Sequence, residues 1–442
     1  MTQTVSAPPA TRLPSAAPAV PTGTQPQQPP HRSPQGVVNV FFHGTPGRLR
    51  ALLIASAVIA VLFGAAAAQG FRQSDGALQR AEANTAQLVR VQAIHTNLVA
   101  ANADATNAFL VGGLEPPAQR QHFVDSLATA SKLIAEAATA QPADQTVLGQ
   151  LNTTLLTYNG QIEQARTNNR QGLPIGSQYL KDANATLQND SLPLLNALVS
   201  ANEGRVDTEF DGVGGGNVWL IVGGLISLAV LVLTMVWLAR RTHRYLNVPI
   251  AAGAVLVLLT MVVGGAGLAG ASSSAKDTFD GEYSDARVLA TARIAAYDAK
   301  SNESLTLIAR GSGADFEKAW KAAADRVDQQ LATIGTGAGN APSAWEEYKV
   351  AHLAIRKADD GGNWDAAVDQ AIGTGPKTAT APFTNFDKSS TAKLAEASDA
   401  AQAQLADARG SLPPIGWLGL PIGILAALLA AWGLSQRLGE YR

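Results

Sequence analysis

The sequence predicts an all-α membrane protein in which four transmembrane helices carry two extracytoplasmic four-helix-bundle domains, arranged as an internal repeat. Three observations predict it. The apolar residues gather into four uncharged runs, 51–70, 218–239, 249–270 and 417–434, each long enough to cross a bilayer as a helix. The two long segments between these runs place apolar residues at a 3.5-residue period, the seam of helices packed near-parallel in a bundle. Those segments also match each other in size and charge. Residues 71–217 (147 residues) carry 9 basic and 14 acidic side chains, and residues 271–416 (146 residues) carry 15 and 20, so each is −5.

Residues 1–47 form a Pro-rich cytoplasmic tail. Nine of the 22 prolines lie in 1–40, and so little apolar content cannot bury a core. The first membrane segment, 48–70, is the uncharged span Ala51–Gly70 with its basic lead, Arg48 and Arg50. Its end, Ala65-Ala66-Ala67-Ala68-Gln69, has the look of a cleavage site, but a lead of about fifty residues favours an uncleaved anchor.

The first extracytoplasmic segment, 71–217, reads as four helices. A stripe through Val91, Ile94, Leu98, Ala101, Ala105 and Ala108 ends at Gly112-Gly113. Phe123, Leu127, Ile134 and Ala137 mark the second helix. Leu148, Leu151, Leu155, Tyr158, Ile162 and Ala165 mark the third, and Leu180, Ala183, Leu187, Leu194, Ala197 and Ala201 the fourth, with a kink or restart expected at Pro193. Gly212–Gly216 loosens the joint into the second span, 218–239. A basic loop, 240–248, then leads into the third span, 249–270. Three arginines, Arg240, Arg241 and Arg244, place this loop on the cytoplasmic side. Both termini follow it there, and the protein is expected in the plasma membrane.

The second segment, 271–416, repeats the plan. Phe279, Tyr283, Ile294, Tyr297, Leu305 and Ile308 line a first helix, and Phe316, Trp320, Ala323, Val327, Leu331 and Ile334 a second. Ser343-Ala344-Trp345-Glu346 reads as a capping box opening a third through Tyr348, His352 and Ile355. A short stretch through Trp364 and a last helix over 382–409 complete the segment. The fourth span is 417–434, and the cytoplasmic tail 435–442 carries Arg437 and Arg442. Trp219 with Trp237, and Trp417 with Trp432, suit the aromatic belts of a bilayer.

Composition excludes several chemistries. With no cysteine and six scattered histidines, no metal, thiolate or cofactor site is expected. No G-x-S-x-G motif and no Gly-rich loop followed by Lys-Ser/Thr occurs, so no catalytic residues are assigned. No span holds an ionisable side chain, which argues against a transporter. Acidic outer segments argue against nucleic acid. The candidate residues are therefore contact residues. Arg240, Arg241, Arg244 and Arg437 are candidates for a cytoplasmic effector, and Asp298, Glu303, Arg310 and Trp364 for an extracytoplasmic ligand or partner face.

The layout resembles bacterial sensors of the chemoreceptor type, doubled within one chain. More narrowly, it resembles the four-span membrane component of the actinobacterial glutamine/glutamate-sensing system. Asn302-Glu303-Ser304-Leu305-Thr306-Leu307-Ile308-Ala309-Arg310-Gly311, Ser191-Leu192-Pro193 and Arg437-Leu438-Gly439-Glu440-Tyr441-Arg442 carry that resemblance, within a topology covering 48–442. It implies an outer face that receives a solute-binding lipoprotein, an inner face that informs a Ser/Thr protein kinase, and no catalysis. A structural or scaffolding envelope protein and a transport accessory subunit remain the alternatives.

Overall fold

A computed structural model describes residues 44–111, 114–242, 246–375 and 378–439. The tail 1–43, Arg244 and the terminal Glu440-Tyr441-Arg442 lie outside the described residues, which are helical throughout apart from turns and short links.

Helix α1, Gly44–Val111, is 68 residues long, about 102 Å at 1.5 Å per residue. The helix runs without a break through 70–71, where the first span passes into the first bundle. One apolar stripe passes through it, with Phe63, Ala67, Phe71, Leu78, Leu88, Val91, Ile94 and Leu98 all buried. No proline interrupts the ladder beyond the first turn, so nothing ends the helix at the membrane surface.

The first bundle is completed by α2 (Pro117–Ala140), α3 (Gln145–Arg170), α4 (Ile175–Thr186) and α5 (Leu192–Val213). Between α4 and α5, Leu187–Ser191 makes a single wide helical turn in which the Leu192 N–H donates to Leu187 O. Pro193 therefore falls in the first turn of α5, where its missing N–H costs nothing. The α-helix thus restarts at Leu192, one residue before Pro193, on the far side of that wide turn. Helix α6 (Gly216–Thr242) follows after a two-residue turn.

Helix α7 (Val248–Thr278) passes through a second wide turn, Phe279–Tyr283, into α8 (Ser284–Ile308). Then come α9 (Ala314–Ile334), α10 (Ala341–Asp360), α11 (Trp364–Ile372), α12 (Thr380–Gly410) and α13 (Ile415–Gly439). The expected capping box is not formed. Helix α10 starts two residues earlier, with Pro342 in its first turn, and Ser343 Oγ donates to Asn340 O at 3.0 Å instead of capping.

Four stretches are long and apolar enough to cross a membrane: 46–111, 175–241, 248–308 and 380–439. Each apolar run leads into a bundle, so span and bundle share a rod. Inside the membrane the spans form a ring in which α1 packs on α6 and α13, and α7 packs on the same two. Val218, Val222, Leu233, Leu258, Val262, Leu428 and Trp432 face outward, exposed, as lipid-facing side chains must.

Small residues let the backbones meet. A Cβ on Gly64 of α1 would lie 2.5 Å from Gly419 O of α13, and one on Gly423 would lie 2.7 Å from Ala60 O. Polar ties add to this contact. Ser56 and Thr234 hydroxyls meet at 3.2 Å, and Asn247, which also caps α7, donates to Gly433 O at 2.9 Å.

Above the membrane the two bundles pack through their first helices, α1 against α8, and share one core running from Val91 to Phe386. Asn102, fully buried, donates to Ser301 Oγ at 2.7 Å and Asn184 Oδ1 at 3.0 Å, and accepts from the Tyr158 hydroxyl at 3.3 Å. Ser304 Oγ also donates to Asn107 Oδ1 across the seam. Nearer the membrane, Phe210, Phe279 and Tyr283 form an aromatic cluster, and Arg409 pairs with Asp75. The near-equal lengths of the two outer segments and their shared order of span, helical bundle and span are consistent with an internal repeat.

The contact at Gly64 yields a test. A Gly64→Leu substitution should separate α1 from α13 and lower the stability of the detergent-solubilised protein by about 1–3 kcal/mol, the usual cost of overpacking. Gly270→Leu, at a position with no neighbour to meet, should have little effect. Thermal unfolding of both variants checks this.

Candidate functional site

Two polar assemblies lie within the extracytoplasmic part, one sealed and one open. The sealed one is built on α8. This Ala-rich helix is covered on nearly every face, so its charged residues have to find partners inside the protein. Lys300 Nζ bonds Glu303 Oε1 at 2.7 Å, one turn on, and Ala371 O at 2.9 Å. Glu303 Oε2 meets His352 Nδ1 of α10 at 2.9 Å. On its other side the imidazole lies 3.4 Å from Glu317 Oε2, which Arg356 Nε approaches at 3.5 Å. Trp320 covers the ring face, stacked at 3.5 Å between centroids and 7° from parallel.

Burial opposes the charge on Glu303, but Lys300 and the His352 hydrogen bond prevail and hold its pKa down at about 2. Burial would likewise lower His352, yet the Glu303 hydrogen bond and the nearby Glu303 and Glu317 carboxylates raise it. Glu303 is therefore an internal ion-pair member, 1% exposed, and does not lie on an extracytoplasmic face.

The open assembly is a cavity of about 360 Å³ at the seam between the bundles. The first bundle contributes Gln92 and His95 from α1, Gln188 from the wide turn, and Leu192 and Asn196 from α5. The second contributes Thr291, Ile294 and Asp298 from α8 and Arg326 from α9. Gln92 and His95 are both buried, and Gln92 Oε1 and His95 Nε2 have no hydrogen-bond partner among the described residues. Burial, helped by the Arg326 charge, lowers His95 to about 4, so its ring is neutral at neutral pH. Burial raises Asp298 to about 6 against the opposing effects of Arg326 and the Gln188 amide.

Of the other expected contact residues, Arg310 and Trp364 come together at the membrane-distal end of the second bundle. The guanidinium carbon lies 4.0 Å from the indole centroid, and Trp364 Nε1 donates to Leu307 O at 2.9 Å. Arg310 holds a left-handed φ of 43°, costly for a branched-free but bulky residue and offset by that stacking. Arg240 and Arg241 occupy the exposed last turn of α6, and Arg437 lies near the end of α13.

Sequence reasoning found Asp298 but missed Gln92, His95, Gln188 and Arg326, which converge only when the bundles dock. The wide turn carrying Gln188 had a signal in Pro193, since such turns cluster at functional sites.

Residues 77–211 match the family model described as the actinobacterial sensor domain. The matched stretch takes in the first bundle, from the outer part of α1 to the end of α5, including that bundle's wall of the cavity. This supports a sensor-type, signal-relaying role for a multi-pass membrane protein. No curated protein and no solved structure matches the chain.

The sealed network predicts a pH profile. His352, with a raised pKa, stabilises the fold fully below about 6.5 and loses that contribution as pH rises through the raised value. Glu303 contributes above about 4.5 and loses it only as pH falls toward about 2. The unfolding temperature should fall as the pH rises above about 6.5, a decline that His352→Gln flattens. Lys300→Met should cost about 3–5 kcal/mol by stranding the Glu303 carboxylate, measured by chemical denaturation.

Proposed function

We propose that this protein is a plasma-membrane sensor that passes an extracytoplasmic nutrient signal to a separate cytoplasmic effector. In this reading both termini and the basic turn at 240–248 face the cytoplasm, and the chain itself performs no catalysis. The observation that carries it is the helix α1, unbroken from the membrane into the stretch that matches the sensor domain. Packed helices move as rigid rods over shifts of about 1–2 Å, so a displacement set up in the bundle reaches the inner end of each span.

The finer assignment draws on the resemblance carried by 302–311, 191–193 and 437–442. The signal is an amino acid delivered by an extracytoplasmic solute-binding protein, and the effector is a Ser/Thr protein kinase. Arg310 and Trp364, at the outer end of the second bundle, suit a partner-facing position. Arg240, Arg241 and Arg437 suit contact with the effector.

A lock between rods tests the relay. A Cβ on Gly212 would lie 3.6 Å from that of Ala77, within disulfide reach. The chain has no other cysteine to interfere. Oxidised Ala77→Cys/Gly212→Cys protein should lose its stimulus response and regain it on reduction, while a full response in the oxidised state rules out movement of α1 against α5. A second variant, Arg240→Gln/Arg241→Gln, should keep its membrane insertion and lose effector output, read as kinase-dependent phosphorylation in cells.

A further inference from the structure

We infer that the cavity at the bundle seam is a binding site, on this chain itself, for a small zwitterion bearing a primary ammonium and a carboxylate. The inference rests on the sensor reading and adds a ligand and a place to it.

The walls supply the matching chemistry. Asp298 is a carboxylate with no ion-pair partner among the described residues, and Arg326 acts on it only through its charge. An ammonium group seated against Asp298 would give the carboxylate a counter-ion. Arg326, exposed on α9 at the cavity rim, offers the planar fork that suits a carboxylate. Thr291 and Asn196 add uncharged polar side chains to the same walls. Between these polar groups Leu192, Val199 and Ile294 make an apolar wall for the rest of the molecule.

Size and position agree with this use. A volume of about 360 Å³ falls at the lower end of small-ligand pockets, which commonly form at domain interfaces. The walls come from both bundles, so a bound molecule touches α1 and α5 on one side and α8 and α9 on the other. A nonpolar occupant would leave the Asp298 carboxylate without a counter-ion, and a simple anion would face that carboxylate.

Calorimetry on the full chain in lipid nanodiscs tests the site. The probes are glycine, L-alanine, L-glutamine and L-aspartate, with glycine betaine, acetate and methylammonium as partial mimics. At least one amino acid should bind, and the three mimics, each lacking the N–H donors or one of the charges, should bind at least about tenfold more weakly. Asp298→Asn and Arg326→Gln should each weaken binding by about tenfold or more. Arg326 is exposed, so its variant folds whatever the fate of Asp298→Asn. Asp207→Asn, in the separate neck pocket with Glu203 and Arg287, should bind normally. No binding by any amino acid, equal binding of glycine betaine, or unchanged binding in Arg326→Gln overturns the site. Cellular signalling in Arg326→Gln separates the two readings. An intact response together with lost binding in vitro removes this site from the signal path but leaves the relay standing. Failure of the Ala77–Gly212 lock to affect signalling removes the relay instead.

Discussion

One buried asparagine sets the relation between the two bundles. The seam around it is mostly alanine: Ala100, Ala101, Ala103 and Ala105 on α1, and Ala292, Ala295, Ala296 and Ala299 on α8 are all buried. Small uniform side chains pack closely, but they make a smooth surface with nearly equivalent registers one turn apart. Asn102 removes that degeneracy. Its amide hydrogens go to Ser301 of α8 and Asn184 of α4, and its oxygen takes the Tyr158 hydroxyl of α3. A slip by one turn would strand all three partners in the core, at the cost that unsatisfied buried polar groups carry. Single buried polar residues fix register in coiled coils in the same way.

The register fixed there positions everything below it. His95 lies two turns toward the membrane from Asn102 on the same face of α1, and Asp298 lies one turn from Ser301 on α8. The cavity therefore exists in its present form only while the Asn102 contact holds. Lower still, the glycines of α1 and α13 bring backbones to van der Waals contact in the membrane, so a change in tilt of either rod is felt by the other. The sealed Lys300–Glu303–His352 network keeps α8 and α10 together, whereas the seam with α1 is held by small apolar side chains and the hydrogen bonds of Asn102 and Ser304. Its polar contacts are few and its apolar side chains are small.

Much of this was legible in the sequence because periodicity survives folding unchanged. The four uncharged runs and the stripes Leu148–Ala165 and Phe316–Ile334 are local patterns, and they became helices with those faces buried. What failed was where local rules compete. Helical hydrogen bonding takes no notice of the change in composition at 70–71, and the buried stripe of α1 crosses from lipid to water unbroken. The capping box at 343–346 lost to an earlier start at Ala341, where Pro342 already satisfies the first-turn requirement. Glu303 was grouped with Asp298 and Arg310 as a surface acid because the mixed charges of 298–310 point in all directions. Which of them meets solvent depends on α8 being enclosed by α1, α9, α11 and α12, a fact of tertiary packing. The cavity was invisible for the same reason, since its walls are separated by up to 234 positions between Gln92 and Arg326.

The seam also determines how strongly a bound molecule could drive the rods. Binding moves a two-state equilibrium only by the difference in affinity for the two states, however tight the complex. A cavity enclosed within one bundle would change little when the bundles shift. A cavity with α1 and α5 on one wall and α8 and α9 on the other changes shape whenever they do, so its affinity necessarily depends on register. Occupancy at a hundred times the dissociation constant is worth about 2.7 kcal/mol to the state that binds, about a hundredfold in population. That is comparable to the cost of stranding the polar partners of one buried asparagine, about 1–3 kcal/mol per group. The seam is thus held by interactions of the same size as those a small ligand can supply, which is the condition for a ligand there to choose between registers.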